Sequence, residues 1–197
     1  MCGINTTYKI IFLSNHKVGS TSVDKFLSSQ KLCDIRFTEL DLPGNKKHTD
    51  YKTLLLYLQK NRLDIYNDIE NYEIVVFTRN PLYRMKSLYY YQSDLIKPYY
   101  TNYPKCINSS IVKCIENDGY KFVKFIQDID HKNVKIFKIE NIDDFKKYIK
   151  KKTHIKQVNI GHFNKSRHRS VMLDDNTISI IKEYFKYEIE NFYNELK

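Results

Sequence analysis

The chain has no tryptophan and only five glycines and four prolines among its 197 residues. The sequence has no internal repeat, low-complexity tract or linker. Apolar residues make up 42%, an ordinary share for a globular protein, and the length suffices to bury a core. No apolar run approaches the ~20 residues that cross a bilayer. We therefore expect a single domain over residues 1–197 with no transmembrane segment.

Cysteine is scarce, and its spacing argues against a zinc site. Cys2, Cys33, Cys106 and Cys114 form no CxxC pair. Free thiols are the default, and a bridge between Cys106 and Cys114 stays open in an oxidising compartment.

The apolar stretch 8–14 (YKIIFLS) is typical of a core strand and not of a secretory leader. We therefore expect a soluble, cytoplasmic protein.

Positive charge is in excess, with 33 Lys and Arg against 23 Asp and Glu and a formal net charge of +10. This excess favours an anionic partner, such as a nucleic acid, a phosphorylated cofactor, an acidic glycan or a membrane surface. The lysines are spread along the chain, which is more typical of a solvated surface than of one site.

Short segments rich in β-branched and aromatic residues alternate with helical patterns. The predicted strands cover residues 8–14, 34–40, 73–78 and 133–139. Helices are expected to begin after Thr49 or Asp50, after Asn80 and near Asp174, and the last is expected to continue to Leu196. The alternation predicts a three-layer α/β/α fold with a mostly parallel sheet.

The segment after the first predicted strand, residues 17–22 (KVGSTS), has the composition of a phosphate-binding loop. Ligands of open parallel sheets bind beyond the carboxyl ends of the strands, where this loop should lie. Gly19 lets the backbone approach a ligand, Lys17 adds a charge, and the amides of a helix start favour an anion. The order differs from the Walker A motif, in which the lysine follows the second glycine. An ordinary strand-to-helix turn would have the same composition.

A second group of residues follows the third predicted strand. Arg79 comes directly after that strand, and arginine suits phosphate binding through paired N–H groups. Ser87 lies about two helical turns further along, on the same face as Tyr83 and Arg84. A phosphate could lie between Arg79 and Ser87. The alternative is a surface ion pair for Arg79 and a surface position for Ser87.

Together the two segments resemble the nucleotide-binding signatures of the PAPS-dependent sulfotransferases, in which PAPS is 3′-phosphoadenosine 5′-phosphosulfate. Residues 16–22 (HKVGSTS) resemble the PKTGSTS-type loop, and residues 76–87 (VFTRNPLYRMKS) resemble the VRNPYxRxxS motif. Residues 138–142 (KIENI) resemble the yEdl segment of the family. Residues 162–166 (HFNKS) resemble the C-terminal end of the carbohydrate-type branch. The sequence departs from the family at His16, where proline is usual, and at Val18, where threonine is usual.

The resemblance implies a P-loop-like fold, PAPS as sulfuryl donor with PAP as product, and no metal requirement. The implied donor site includes Val18 and Gly19, with Lys17 at the phosphosulfate bridge. The hydroxyls implied to hold the 5′-phosphate are Ser20, Thr21 and Ser22. Arg79 and Ser87 are implied to hold the 3′-phosphate. A basic loop carrying Lys165 and Arg167 is expected to close over the cofactor or to hold an acidic glycan, and a solvated loop is the alternative.

His48 is our candidate for the general base, because it follows the second predicted strand and stands in a KHT segment that resembles the KHxT segment of the family. His16 and Asp50 are alternatives, although a helix cap also explains Asp50.

A sugar hydroxyl is the expected acceptor, and tyrosine or a small alcohol stays open. Two rival functions are a P-loop phosphotransferase and a basic nucleic-acid-binding module. The first lacks a Walker A loop, and the second lacks a recognisable nucleic-acid-binding motif.

Overall fold

The computed structural model describes residues 3–15, 17–40, 48–96, 111–112, 115, 125, 127–161 and 172–196. The chain divides into two compact units. The first comprises Met1–Thr78 and Phe125–Asn164, and the second comprises Arg79–Lys124 and Lys165–Lys197. The expectation of one domain over 1–197 stays a prediction.

The first unit contains one five-stranded mixed sheet. Its strands are β1 (Gly3–Asn5), β2 (Ile10–Ser14), β3 (Ile35–Arg36), β4 (Glu73–Thr78) and β5 (Val134–Lys138). They lie in the order β3-β1-β2-β4-β5, with β2, β4 and β5 parallel and β1 antiparallel to both of its neighbours. Since β3 is antiparallel to β1, it points the same way as β2. The predicted α/β class with a mostly parallel sheet is confirmed.

The helices follow the expected alternation. They are α1 (Ser20–Ser29), α2 (Tyr51–Asn61), α3 (Leu63–Asn67), α4 (Pro81–Ile96), α5 (Ile142–Thr153), α6 (Asp175–Tyr184) and α7 (Lys186–Phe192). Short 3₁₀ turns occur at Phe37–Glu39, Ile69–Asn71, Ile139–Asn141 and Asn194–Leu196. The helices predicted between residues 107 and 129 lie largely outside the described residues. No helix in the described ranges is long and apolar enough to cross a membrane.

The core of the first unit forms because its central strands are apolar on both faces. Successive residues of β4, from Ile74 to Phe77, are all buried, which is typical of a parallel strand covered on both sides. On one face the ring of Phe145, from α5, packs 4.8 Å from the ring of Phe77 and 6.4 Å from that of Phe26 on α1. Both helices are thereby packed on the carboxyl half of the sheet.

Three predicted strands are shorter than expected, and the last of them, β5, lacks only one residue at each end. The first begins at Ile10, because residues 6–9 form a turn in which the N–H of Tyr8 donates to Oδ1 of Asn5. The second is only Ile35–Arg36, and its pairing with the three-residue β1 ends at Gly3. Without further backbone to pair with, the chain enters the 3₁₀ turn Phe37–Glu39, which buries the Phe37 side chain.

The prediction of one continuous C-terminal helix is wrong at Phe185. Phe185 separates α6 from α7, with φ −103° and ψ 23°. Its N–H still donates to the carbonyl of Ile181, and its carbonyl still accepts from Ile189. The interruption is therefore a kink at one residue and not a loop. A 3₁₀ turn, Asn194–Leu196, replaces the expected last helical turn.

Candidate active site

The loop formed by residues 17–22, hereafter loop 17–22, has an unusual backbone. Lys17 has a φ of 59° and Gly19 a φ of 73°, so both lie in the left-handed region. That region is uncommon for a residue with a side chain, and non-glycine residues held there cluster at functional sites. Left-handed residues also occur in the backbone nests whose successive N–H groups bind an anion. Val18, between the two, is fully buried and anchors the loop in the core.

The end of loop 17–22 is also the beginning of α1. Gly19 is the N-cap, and its carbonyl accepts from the N–H groups of Ser22 and Val23 at 3.0 and 3.3 Å. Gly19 has no side chain that could cap the helix, and the first turn of α1 carries no acidic residue. The partial positive charge of the helix start is therefore not offset by an acidic residue of its own first turn, which favours binding of an anion there. Ser20 and Thr21 are half-buried in this first turn.

Ile139 braces the loop from the neighbouring edge of the sheet. A Cβ added to Gly19 would lie 2.9 Å from Cγ1 of Ile139 and 3.0 Å from its Cδ1. Ile139 belongs to the 3₁₀ turn that follows β5, and the strand ends are level because Ser14 pairs with Phe77 and Phe77 with Phe137. Glycine is thus required at position 19 both by its φ and by the space that Ile139 leaves.

His48 lies at the carboxyl end of β2, beside Ser14, which precedes Lys17 by three residues. Its Nδ1 is 2.8 Å from the backbone carbonyl oxygen of Ser14. A carbonyl oxygen only accepts, so Nδ1 carries the hydrogen and Nε2 carries the lone pair when the ring is neutral. The side chain is half-buried. The chain reaches this position because β3 points the same way as β2, so that the segment leaving β3 starts at the same edge.

The other candidate bases are placed differently. Asp50 caps α2, since its Oδ1 accepts from the N–H of Thr53 at 2.8 Å and its Oδ2 accepts from Oγ1 of Thr53 at 3.0 Å. The sequence left the cap open between Thr49 and Asp50, and the structure places it at Asp50. His16 lies outside the described residues, as do Lys165 and Arg167 of the basic loop.

In the second unit, Arg79 lies just before α4, and Ser87 lies in its second turn. The Oδ1 of Asn80 accepts from the N–H groups of Leu82 and Tyr83 at 3.0 and 3.4 Å, so the predicted cap is confirmed. Ser87 is only 8% exposed, which differs from the alternative of a surface serine. Arg79, which directly precedes the cap, is half-buried.

A buried ion pair behind this helix start was not predicted. The guanidinium of Arg84 donates from Nη1 and Nη2 to the two carboxylate oxygens of Glu188, each at 2.9 Å. Both side chains are completely buried, and the guanidinium carbon lies 4.6 Å from the centroid of the Phe185 ring. The sequence did carry a signal for Glu188. It follows Ile181 by seven residues and Phe185 by three, so it is a charge on the apolar face of the last helix.

These contacts define two groups of candidate residues. The first unit brings together loop 17–22, Ile139 and His48. The second unit carries Ser87 on α4 and Arg79 just before the cap of that helix. Among the described residues, no three His, Cys, Asp or Glu side chains are grouped as metal ligands.

Comparison with solved structures places the architecture among known folds. The crystal structure of a sulfotransferase from Alicyclobacillus acidocaldarius aligns with a TM-score of 0.51, covers 95% of both chains and shares 12% sequence identity. The chain has the sulfotransferase fold. The mouse sulfotransferase SULT7A1, crystallised with PAP, aligns with a TM-score of 0.45 and 16% identity, over 92% of this chain and 65% of that one. Comparisons with models of protein families and with curated proteins gave no match. Within this sulfotransferase fold, loop 17–22 joins β2 to α1.

Proposed function

We propose that this protein is a PAPS-dependent sulfotransferase that transfers a sulfuryl group to an acceptor hydroxyl on a carbohydrate. The observation that carries the proposal is the left-handed backbone at Lys17 and Gly19, leading into a helix start with no acidic residue. Such strain persists only where the surrounding structure supports it, here through buried Val18 and the side chain of Ile139. A phosphate-type anion, such as the phosphosulfate of PAPS, is the ligand that a helix start of this kind favours.

The two phosphates of the donor are assigned to the two groups of residues. The 5′-phosphosulfate binds loop 17–22, where it accepts from the helix-start amides and from the hydroxyls of Ser20, Thr21 and Ser22. The 3′-phosphate binds Arg79 and Ser87, on the capped start of α4. The sequence resemblance and the sulfotransferase fold support both assignments, which are otherwise independent of each other.

The transfer needs charge neutralisation on one side and proton removal on the other. As the sulfuryl group leaves, the bond between sulfur and the bridging oxygen breaks, and negative charge grows on that oxygen of PAP. Lys17 neutralises this charge. The acceptor oxygen forms the new bond to sulfur, and its proton passes to Nε2 of His48. The hydrogen bond from Nδ1 to Ser14 supports this direction of transfer, because it fixes the tautomer that can accept.

The acceptor class rests on the sequence alone. Residues 162–166 resemble the carbohydrate-type branch, and nearby Lys165 and Arg167 would hold an acidic group of a glycan or of the donor. A phenol or small alcohol remains the alternative acceptor.

The deciding experiment is transfer of radioactive sulfate from labelled PAPS to a panel of glycans and small phenols. We expect labelled glycan product with the wild type and product formed about 10²–10³-fold more slowly with Lys17→Met. Thermal stabilisation by PAP, compared with ATP and magnesium, separates this function from a phosphotransferase. Stabilisation by ATP–magnesium and not by PAP, or salt-sensitive binding of random DNA with no transfer, would overturn the proposal.

A further inference from the structure

The pair formed by Arg84 and Glu188 joins two helices of the second unit at a defined point. Arg84 lies in the first turns of α4, where its N–H donates to the carbonyl of Asn80 at 2.8 Å. Glu188 lies on α7, just after the kink at Phe185. The kink sets the Phe185 ring against the guanidinium while the carboxylate accepts both of its terminal N–H groups.

Stability alone does not account for this pair. Charges are costly to bury, and replacement of a buried ion pair by apolar residues of similar volume is often neutral or stabilising. The surroundings are suited to such a replacement, since Met85, Leu88, Ile181 and Ile189 form one buried cluster with Phe185. An apolar pair, however, cannot fix the relative orientation of the two side chains. Two parallel N–H···O bonds fix both the position and the rotation of the guanidinium relative to the carboxylate.

Arg84 lies between the two residues assigned to the 3′-phosphate. It follows Arg79 by five residues and precedes Ser87 by three, so Arg84 and Ser87 share one face of α4. Both of these side chains are buried, at 0% and 8% exposure. A rotation of α4 by a fraction of a turn would therefore move Ser87 directly and change its spacing from Arg79.

We propose that Arg84 and Glu188 are positioning residues, which fix the rotation of α4 on α7 so that Arg79 and Ser87 hold the spacing that a 3′-phosphate requires. This inference rests on the proposed function, because it takes Arg79 and Ser87 as the 3′-phosphate ligands. Arg84 itself need not touch the nucleotide.

The test compares affinity for PAP and AMP, which differ in the 3′-phosphate, with thermal stability. In Arg84→Met/Glu188→Met, we expect a melting temperature near or above that of the wild type. The ratio of PAP to AMP affinity, measured by calorimetry, should fall by about tenfold or more, because the ligand groups lose their fixed spacing. Met85→Leu is the matched control, since it changes the next buried side chain without altering charge or volume, and its ratio should stay unchanged.

A second variant keeps the inference testable if the double variant does not fold. Arg84→Lys keeps the charge but loses the paired geometry, and the affinity ratio should fall several-fold in the folded protein. A folded variant with an unchanged ratio, or with PAP and AMP weakened equally, would overturn the inference and leave the proposed function intact. A wild type that binds PAP and AMP equally would overturn the 3′-phosphate assignment itself, and the inference with it.

Discussion

The imidazole of His48 donates from Nδ1 to the backbone carbonyl of Ser14, at 2.8 Å. Ser14 is the last residue of β2, and loop 17–22 begins three residues later. One hydrogen bond thus ties the segment after β3 to the segment that leads into loop 17–22. It also selects the neutral tautomer with the lone pair on Nε2, which is the form that accepts a proton.

Replacement of His48 by alanine should therefore affect chemistry and not donor binding. We expect His48→Ala to lower kcat by roughly 10²–10⁴-fold, the usual contribution of a general base. Affinity for PAP should stay unchanged in calorimetry. In the wild type, kcat should rise with pH as the ring loses its proton, which ordinary imidazoles do near pH ~6.5, and this rise should be absent from the variant.

His154→Asn is the matched control for this experiment. His154 is an exposed histidine with a φ of 57°, a backbone conformation that asparagine tolerates. Its replacement should leave kcat and the pH profile unchanged. A His48→Ala enzyme that keeps its turnover, or that loses PAP affinity and turnover in proportion, would remove His48 from the role of base.

Gly19 and Ile139 should be energetically coupled. Gly19→Ala should lower the free energy of unfolding by about 1–2 kcal/mol for the left-handed backbone alone. It should cost more because the new Cβ would lie 2.9 Å from Ile139. In an Ile139→Ala background the cost of the contact between the new Cβ and Ile139 should vanish. A urea double-mutant cycle should therefore give a coupling free energy of about 0.5–3 kcal/mol. Additive effects would show that the loop shifts away from Ile139 at no cost.

The parts of the fold that the sequence predicted are those that depend on neighbouring residues. The strand of residues 73–78 contains the continuous apolar run 74–77, and the structure begins and ends the strand at the predicted residues. The caps at Asp50, Asn80 and Asp174 each accept an N–H only two or three residues ahead, so their patterns are local. Local patterns of this kind do not require knowledge of the rest of the fold.

The features that were missed depend on distant partners. β1 is three residues long and exists because Ile4 pairs with Ile11 on one side and Ile35 on the other. The separation of 104 positions between Arg84 and Glu188 likewise hides their contact from any local pattern. In the candidate site, Gly19 indicated a backbone conformation that other residues rarely adopt, but no feature of the sequence indicated that Lys17 is also left-handed.

Arg79 provides a direct test of the 3′-phosphate assignment. Arg79→Ala should weaken PAP by about 2 kcal/mol, in the range of a hydrogen bond to a charged group, and should leave AMP nearly unchanged. Arg62→Ala is the control, because Arg62 forms an exposed pair with Asp64 at 2.7 Å and its loss removes the same charge. If both variants weaken PAP equally in calorimetry, the effect is general charge and not a specific contact.

Acid should destabilise the first unit partly through Glu73. Burial alone would raise the pKa of Glu73, but hydrogen bonds from Tyr148 and Lys152 outweigh it, and the pKa is lowered. A lowered folded-state pKa stabilises at neutral pH, and this contribution is lost as pH falls from the ordinary glutamate value of ~4.3 through the folded-state pKa. Urea unfolding over that range should show a shallower acid dependence for Glu73→Gln than for the wild type. Parallel curves would contradict the assignment.

Replacement of Lys17 should lower kcat much more than it lowers affinity for PAP. Its interaction strengthens as charge grows on the leaving oxygen, so Lys17→Met should lower kcat by about 10²–10³-fold, comparable to loss of one transition-state donor. Affinity for PAP should fall much less. Methionine keeps the side-chain length and the same left-handed backbone cost, so the substitution removes the charge and little else.

Lys31→Met supplies the control for the backbone. Lys31 is exposed and has a φ of 51°, close to the 59° of Lys17, but it lies at the other end of α1. Its replacement repeats the change of residue type in the same conformation away from the loop, and kcat should stay at the wild-type value. If Lys17→Met weakens PAP while turnover at saturating PAPS is unchanged, Lys17 anchors the ground state. The charge on the leaving oxygen must then be met by the amides of the α1 start.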